Sequence, residues 1–141
     1  MRTTKNITIK DDDVEIKFKL TALSALGLQK WIVKAGVALA ESGLLNVEVG
    51  NNFSIDAIFS AIQQNGFNFL GKLDPDKANK LLIELVHDTA TKLTGAGVVE
   101  LTENELENTF SKITSLFELE KQCFAVNFDF FQNAGLSATR V

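Results

Sequence analysis

The chain has 141 residues, 45% hydrophobic and 23% charged, with 14 Lys and Arg against 18 Asp and Glu for a net charge of −4. That length suits one domain able to bury about two-thirds of its unfolded surface, and the proportions exclude a disordered or low-complexity chain. The acidic balance, with its basic residues dispersed, excludes the clustered cationic surface that phosphate backbones require, so no nucleic-acid partner is expected.

Residues 5–20 alternate, with Ile7 and Ile9, then Val14, Ile16, Phe18 and Leu20, set against Glu15, Lys17 and Lys19. Period two around the acidic run Asp11, Asp12, Asp13 predicts a β-hairpin with one buried face and a solvated tip. A lone hairpin is marginal in water, so that face is expected to pack on the helices that follow.

From 22 to 42 the pattern becomes a long apolar run whose charges, Lys30, Lys34 and Glu41, occupy one narrow stripe. Such a helix is central to a core or shared with a partner, and Gly43 suits its C-cap. Residues 44–53 read as a short strand or a loop, and Ser54 opens a short helix carrying Ile55, Ile58, Phe59 and Ile62. The stretch 63–73 reads as a loop that tucks Phe67 and Phe69 inward.

The next helix start is the clearest in the chain. Asp74 is placed to cap it, Pro75 fits its first position, and Asp76 suits the positive end of the dipole. Ala78, Leu81, Leu82, Leu85, Val86 and Thr89 then recur at the helical period. "LTGAGVVEL" breaks that helix, and Thr102 with Glu105 forms a capping box for another, whose stripe is Leu106, Phe110, Ile113 and Phe117. A second capping box, Ser115 with Glu118, predicts a break before a last helix that runs to about Gln132. The predicted class is α+β. The chain should be mainly α with an N-terminal β-hairpin, a small single-domain helical bundle packed on it, with residues 21–134 helical and 135–141 a flexible tail.

Residues able to do chemistry are sparse. "GFNFLGKL" has the spacing of a phosphate loop, but Leu73 stands where a magnesium-binding hydroxyl belongs and phenylalanines crowd the turn. His87 is the single histidine and Cys123 the single cysteine, too few for the common zinc sets. The apolar neighbours of Cys123 mark it as a small buried hydrophobe, and a lone cysteine fits a reducing compartment. The acidic run lacks the glycine and distal glutamate of a calcium loop, and Gly95-Ala-Gly97 is too short for a dinucleotide fingerprint. No catalytic, metal or cofactor site is expected. The N-terminal residues lack the apolar core of a signal peptide, and charges interrupt every stretch long enough to span a membrane, so neither export by that route nor a membrane partner is expected.

Rings are abundant instead. Phe124, Phe128, Phe130 and Phe131 crowd a terminal helix in a chain with eleven phenylalanines, one tryptophan and no tyrosine. They exceed what one contact face requires, and are expected to divide between the protein's own core and an interface with itself or a client. Trp31, on the most apolar helix, reads as a core residue or an interface anchor. The candidate partner-binding residues are Trp31, Phe117, Phe124, Phe128, Phe130 and Phe131.

The hairpin ending "KFKLTAL", the moderate helices and the closing "ITSLFELEKQCFAVNFDFF" resemble the tail assembly chaperones of long-tailed bacteriophages and prophages. Here Phe128 runs directly into Asp129, where related sequences often place a glycine. The resemblance implies a non-enzymatic protein of the host cytoplasm that is absent from the mature virion, and the excess of rings points to a homo-oligomer. Such a protein keeps the tape-measure protein soluble and recruits the tail-tube protein. A virion structural or tail completion protein, or another non-enzymatic interaction module, is the alternative.

Overall fold

Alternation in residues 5–20 builds the expected hairpin. In the computed structural model β1 (Thr4–Asp11) and β2 (Val14–Thr21) pair antiparallel, with Ile7 opposite Phe18 and Ile9 opposite Ile16. The structure describes residues 2–41, 58, 62 and 66–139, the side chains of 66, 67, 69 and 129–139 excepted. Residues paired in register share a face. Ile9, Phe18 and Leu20 accordingly turn inward together, while Lys17 and Lys19 face solvent.

The sheet is larger than one hairpin. β3 (Ala90–Thr94) and β4 (Gly97–Glu100) extend it to four antiparallel strands in the order β1-β2-β3-β4. The expectation that residues 21–134 are helical is therefore corrected. Strands this short carry too little alternation to be read locally, and Ala90–Thr94 is strand because β2 offers it a ladder, Leu20 opposite Ala90 and Phe18 opposite Lys92. The turn between β3 and β4 needs Gly97, whose φ of 130° is a conformation that a side chain would oppose.

Packing divides the chain into two units, Met1–Ser24 with Ile83–Val141, and Ala25–Leu82. In the first, α3 (Glu103–Thr109) and α4 (Ile113–Thr139) follow the sheet, and α4 lies against β1 and β2. The Thr102 cap forms as expected, its hydroxyl accepting from the Glu105 N–H at 3.2 Å. The break then falls at 110–112 rather than near Ser115. Helix α4 also continues past Gln132 and Gly135, so residues 135–139, expected in a flexible tail, have helical backbone. Ala134, Leu136 and Ala138 are good helix formers, and one interior glycine costs only about 1 kcal/mol.

In the second unit α1 (Ala25–Glu41) turns Leu28, Ile32, Ala35 and Leu39 inward and leaves Lys30, Lys34 and Glu41 outside, as the charge stripe requires. A 3₁₀ helix (Gly66–Lys72) precedes α2 (Pro75–Thr89), which begins in this unit and ends in the first. Asp74 caps α2, its carboxylate accepting from the Lys77 N–H at 3.4 Å and its carbonyl from Ala78 at 2.9 Å. The readings for 44–57, Gly43, Phe59, Phe67 and Phe69 lie outside the described residues or side chains, whereas Ile58 and Ile62 are helical and buried.

Gly36 sits on the buried side of α1, where an added methyl would run into Cγ1 and Cδ1 of Ile58. Gly36→Ala is expected to lower stability by about 1–3 kcal/mol despite the better helix propensity of alanine. Adding Ile58→Ala should recover part of that loss in urea melts, and independent effects of the two changes would refute the packing.

Candidate functional site

The chemistry of the first unit gathers along α4. At its start, Asp11 of β1 turns inward with Ile7 and Ile9, because all three lie on the same parity of the strand. Its carboxylate accepts the N–H of Ser111 at 2.8 Å, the Ser111 hydroxyl at 3.1 Å and the N–H of Lys112 at 3.1 Å. Asp11 thus ties the end of β1 to the two residues that lead into α4. The solvated-tip reading is corrected for this residue. Asp12, at φ 59°, turns the chain and pairs with Lys112 at 3.2 Å. The Ser111 N–H chiefly, against the opposing effect of burial, holds the Asp11 carboxyl below its ordinary value. This contribution to stability is present above the ordinary aspartate pKa and is lost as pH falls through the lowered one.

Two turns further along, Glu120 and Cys123 are enclosed. One Glu120 carboxyl oxygen, Oε1, has no hydrogen-bond partner, and burial pushes the pKa up to about 7. Burial, and then the neighbouring Glu120 charge, raise the Cys123 thiol, which makes it a poor nucleophile.

Asn127 is the polar centre of the helix. Its Oδ1 accepts the Leu23 N–H at 2.8 Å, and its Nδ2 donates to the Thr89 hydroxyl at 2.9 Å and the Cys123 carbonyl at 2.8 Å. One amide therefore joins the segment leaving β2, the end of α2 and α4. Phe124 and Phe128 flank it, stacked with centroids 4.4 Å apart and both buried.

These placements redistribute the expected interface residues. Phe124 and Phe128 belong to the interior, and the side chains of Phe130 and Phe131 lie outside those described. Trp31 is 1% exposed, its indole donating to the Leu81 carbonyl at 3.0 Å, so its reading as a partner anchor gives way to the core reading. Phe117 remains outside. It is 47% exposed, with Ile113 one turn before it at 67% and Val14, the register partner of Asp11, at 59%. The stripe Leu106, Phe110, Ile113, Phe117 divides because the break at 110–112 resets the helical phase. Leu106 stays buried, and Phe110 meets Phe18 at a centroid distance of 5.7 Å.

Several other ionisable groups form pairs. His87 faces Asp88 at 3.1 Å and Glu100 at 2.7 Å, and the Asp88 bond first, opposed by burial and aided by Glu100, raises its pKa. That contribution is full below the ordinary histidine value and fades as pH rises through the raised one. Lys92, on the inner parity of β3, reaches Glu105 at 2.6 Å and the Thr109 hydroxyl at 3.2 Å. In the second unit an open cleft is lined by Glu41, Lys72, Leu73, Asp74 and Lys77. Glu41 and Lys77 form an ion pair across it, and Asp74 fills the helix N-terminus that an anion would need. The phosphate-loop spacing thus leads into a 3₁₀ helix and a helix end already capped. Among the described residues no three His, Cys, Asp or Glu side chains are grouped to hold a metal ion, and no helix is long and apolar enough to cross a membrane.

Comparison with protein-family models, curated proteins and solved structures gives no match. Sequence reasoning missed Asp11, Glu120 and Asn127. The signal for Asp11 was strand parity, and for Asn127 its place among the apolar positions of one helix face.

Asn127→Ala leaves the Leu23 amide and the Thr89 hydroxyl without their partner, and is expected to cost about 2–4 kcal/mol in urea unfolding. Glu120 acts through pH. Its raised pKa means that the native state holds the proton longer, so stability falls between the ordinary glutamate value and about 7, by on the order of 3 kcal/mol in all. Glu120→Gln should be more stable than the parent above that window and abolish the slope within it; an unchanged slope would show that the carboxyl ionises freely.

Proposed function

We propose that this chain is a tail assembly chaperone of a long-tailed phage or prophage. It binds the apolar tape-measure protein and keeps it soluble in the host cytoplasm until tail-tube subunits arrive, and it is left out of the finished virion. The observation that carries this reading is the exposed apolar strip of Ile113 and Phe117 at the start of α4, with Val14, the register partner of Asp11, also exposed. Aliphatic and aromatic groups one helical turn apart offer an extended apolar client a non-directional contact that tolerates many client sequences. Burial of a phenylalanine or isoleucine is worth about 1.5–3 kcal/mol, so such a strip supports a reversible hold. The closing segment that resembles the family also supports the reading, since its Asn127 fixes the helix that presents the strip.

Ile113→Ser combined with Phe117→Ser should leave the melting temperature nearly unchanged, because both side chains already face solvent. The same pair should sharply reduce the fraction of co-expressed tape-measure protein that stays soluble. Equal client solubility with parent and variant would sink the reading. Mass spectrometry of purified particles separates the chaperone from the virion-component alternative, because the chaperone should be absent.

A further inference from the structure

The backbone phase of the hairpin leaves one edge of the sheet open. The Ala22 N–H donates to the Thr3 carbonyl at 2.8 Å, continuing the β1–β2 register by one step. In an antiparallel ladder, hydrogen-bonded and non-hydrogen-bonded pairs alternate. Residues 3, 5, 7, 9 and 11 therefore bond to β2, and the N–H and C=O groups of Thr4, Asn6, Thr8 and Lys10 point away from it. No hydrogen bond ends on those outward groups among the described residues, and all four side chains are exposed. The edge is eight residues long, with no proline and no bulge, whereas β4 at the other edge has four residues. A long regular edge is a template for another strand unless something blunts it.

We propose that β1 pairs antiparallel with β1 of a second copy of this chain, about a two-fold axis through Thr8, joining two four-stranded sheets into one of eight. Register selects this occupant. Pairing about Thr8 sets Ile7 opposite Ile9 of the second copy and Lys5 opposite its Asp11 on the inner parity, and Asn6 opposite its Lys10 on the outer. Apolar meets apolar, charge meets opposite charge, and no lysine faces a lysine. An axis through Ile7 sets Ile9 against Lys5, and one through Ile9 sets Ile7 against Asp11. An odd register puts inward residues opposite outward ones. The three pairs Asn6–Lys10, Thr8–Thr8 and Lys10–Asn6 would contribute about six backbone hydrogen bonds, two from each pair. The contact uses β1 and leaves the exposed strip of α4 untouched, so it stands or falls separately from client binding.

Sedimentation of the full chain tests it, with Thr8→Lys and Thr8→Glu as probes. Either variant sets a like charge against its own copy on the axis, so each should weaken self-association roughly tenfold, and an equimolar mixture of the two should recover it. Thermal melts check that the variants stay folded, and Asn6→Lys, facing Lys10 of the second copy, repeats the test if they do not. Thr8→Cys should also form an intermolecular disulfide much faster than Lys17→Cys, because on-axis partners have Cα atoms about 5.5 Å apart. Cys123 is buried and does not compete. A monomer at every soluble concentration, unchanged association in Thr8→Lys, or equal cross-linking of the two cysteine variants would each overturn the proposal. Tape-measure solubility in Thr8→Lys reports on client binding alone.

Discussion

The amide of Asn127 is the contact on which the first unit is arranged. Carboxamides offer both a donor and an acceptor, and here both are used in a setting where any unpaired polar atom would be expensive. Apolar burial is non-directional and by itself specifies register weakly. Two directional bonds, from the Leu23 N–H and to the Thr89 hydroxyl, fix that position, and a third, to the Cys123 carbonyl one turn back in α4, orients the amide. This side chain bonds at a separation of 104 residues to Leu23.

Asp11 performs a similar task at the other end of the contact. The carboxylate of a distant strand accepts the N–H groups of the two residues that precede the helix, pinning the hairpin tip to the segment from which α4 starts. Two anchors, one at each end of the α4–sheet contact, define the orientation of the helix. Glu120 lies between them with an oxygen unpartnered, and it opposes the stability that the two anchors confer once it ionises. Stability at neutral pH is therefore held below what the apolar core would give. His87 acts in the same direction, since its pairing with Asp88 and Glu100 also weakens as pH rises.

A hydrogen-bonded amide inside and apolar groups outside divide the work of α4. Its buried side carries the amide and the stacked rings, while Ile113 and Phe117 remain available at the surface. The sheet has a comparable division, with an inner face closed by the helix and an outer edge that retains backbone donors and acceptors. Surfaces of these two kinds suit different partners. Apolar strips accept many sequences, whereas a strand edge is selective for backbone geometry and register.

Local period and capping chemistry were legible in the residues themselves. The alternation of Val14, Ile16, Phe18 and Leu20 specified a strand with one buried face, the charge stripe of Lys30, Lys34 and Glu41 and the spacing from Leu81 to Thr89 specified helices, and Asp74 and Thr102 marked where helices begin. These features rest on neighbours within a turn or two of each other, which any segment carries with it. The strand at Ala90–Thr94 exists because β2 presents a ladder to it, the residues leading into α4 are held by Asp11 a hundred residues away, and the burial of Leu106 but not Phe117 follows from where the helical phase is reset. Composition supplied the rings, but which of them are inside was decided by contacts between segments far apart in the chain, and short-range pattern carries no record of those contacts.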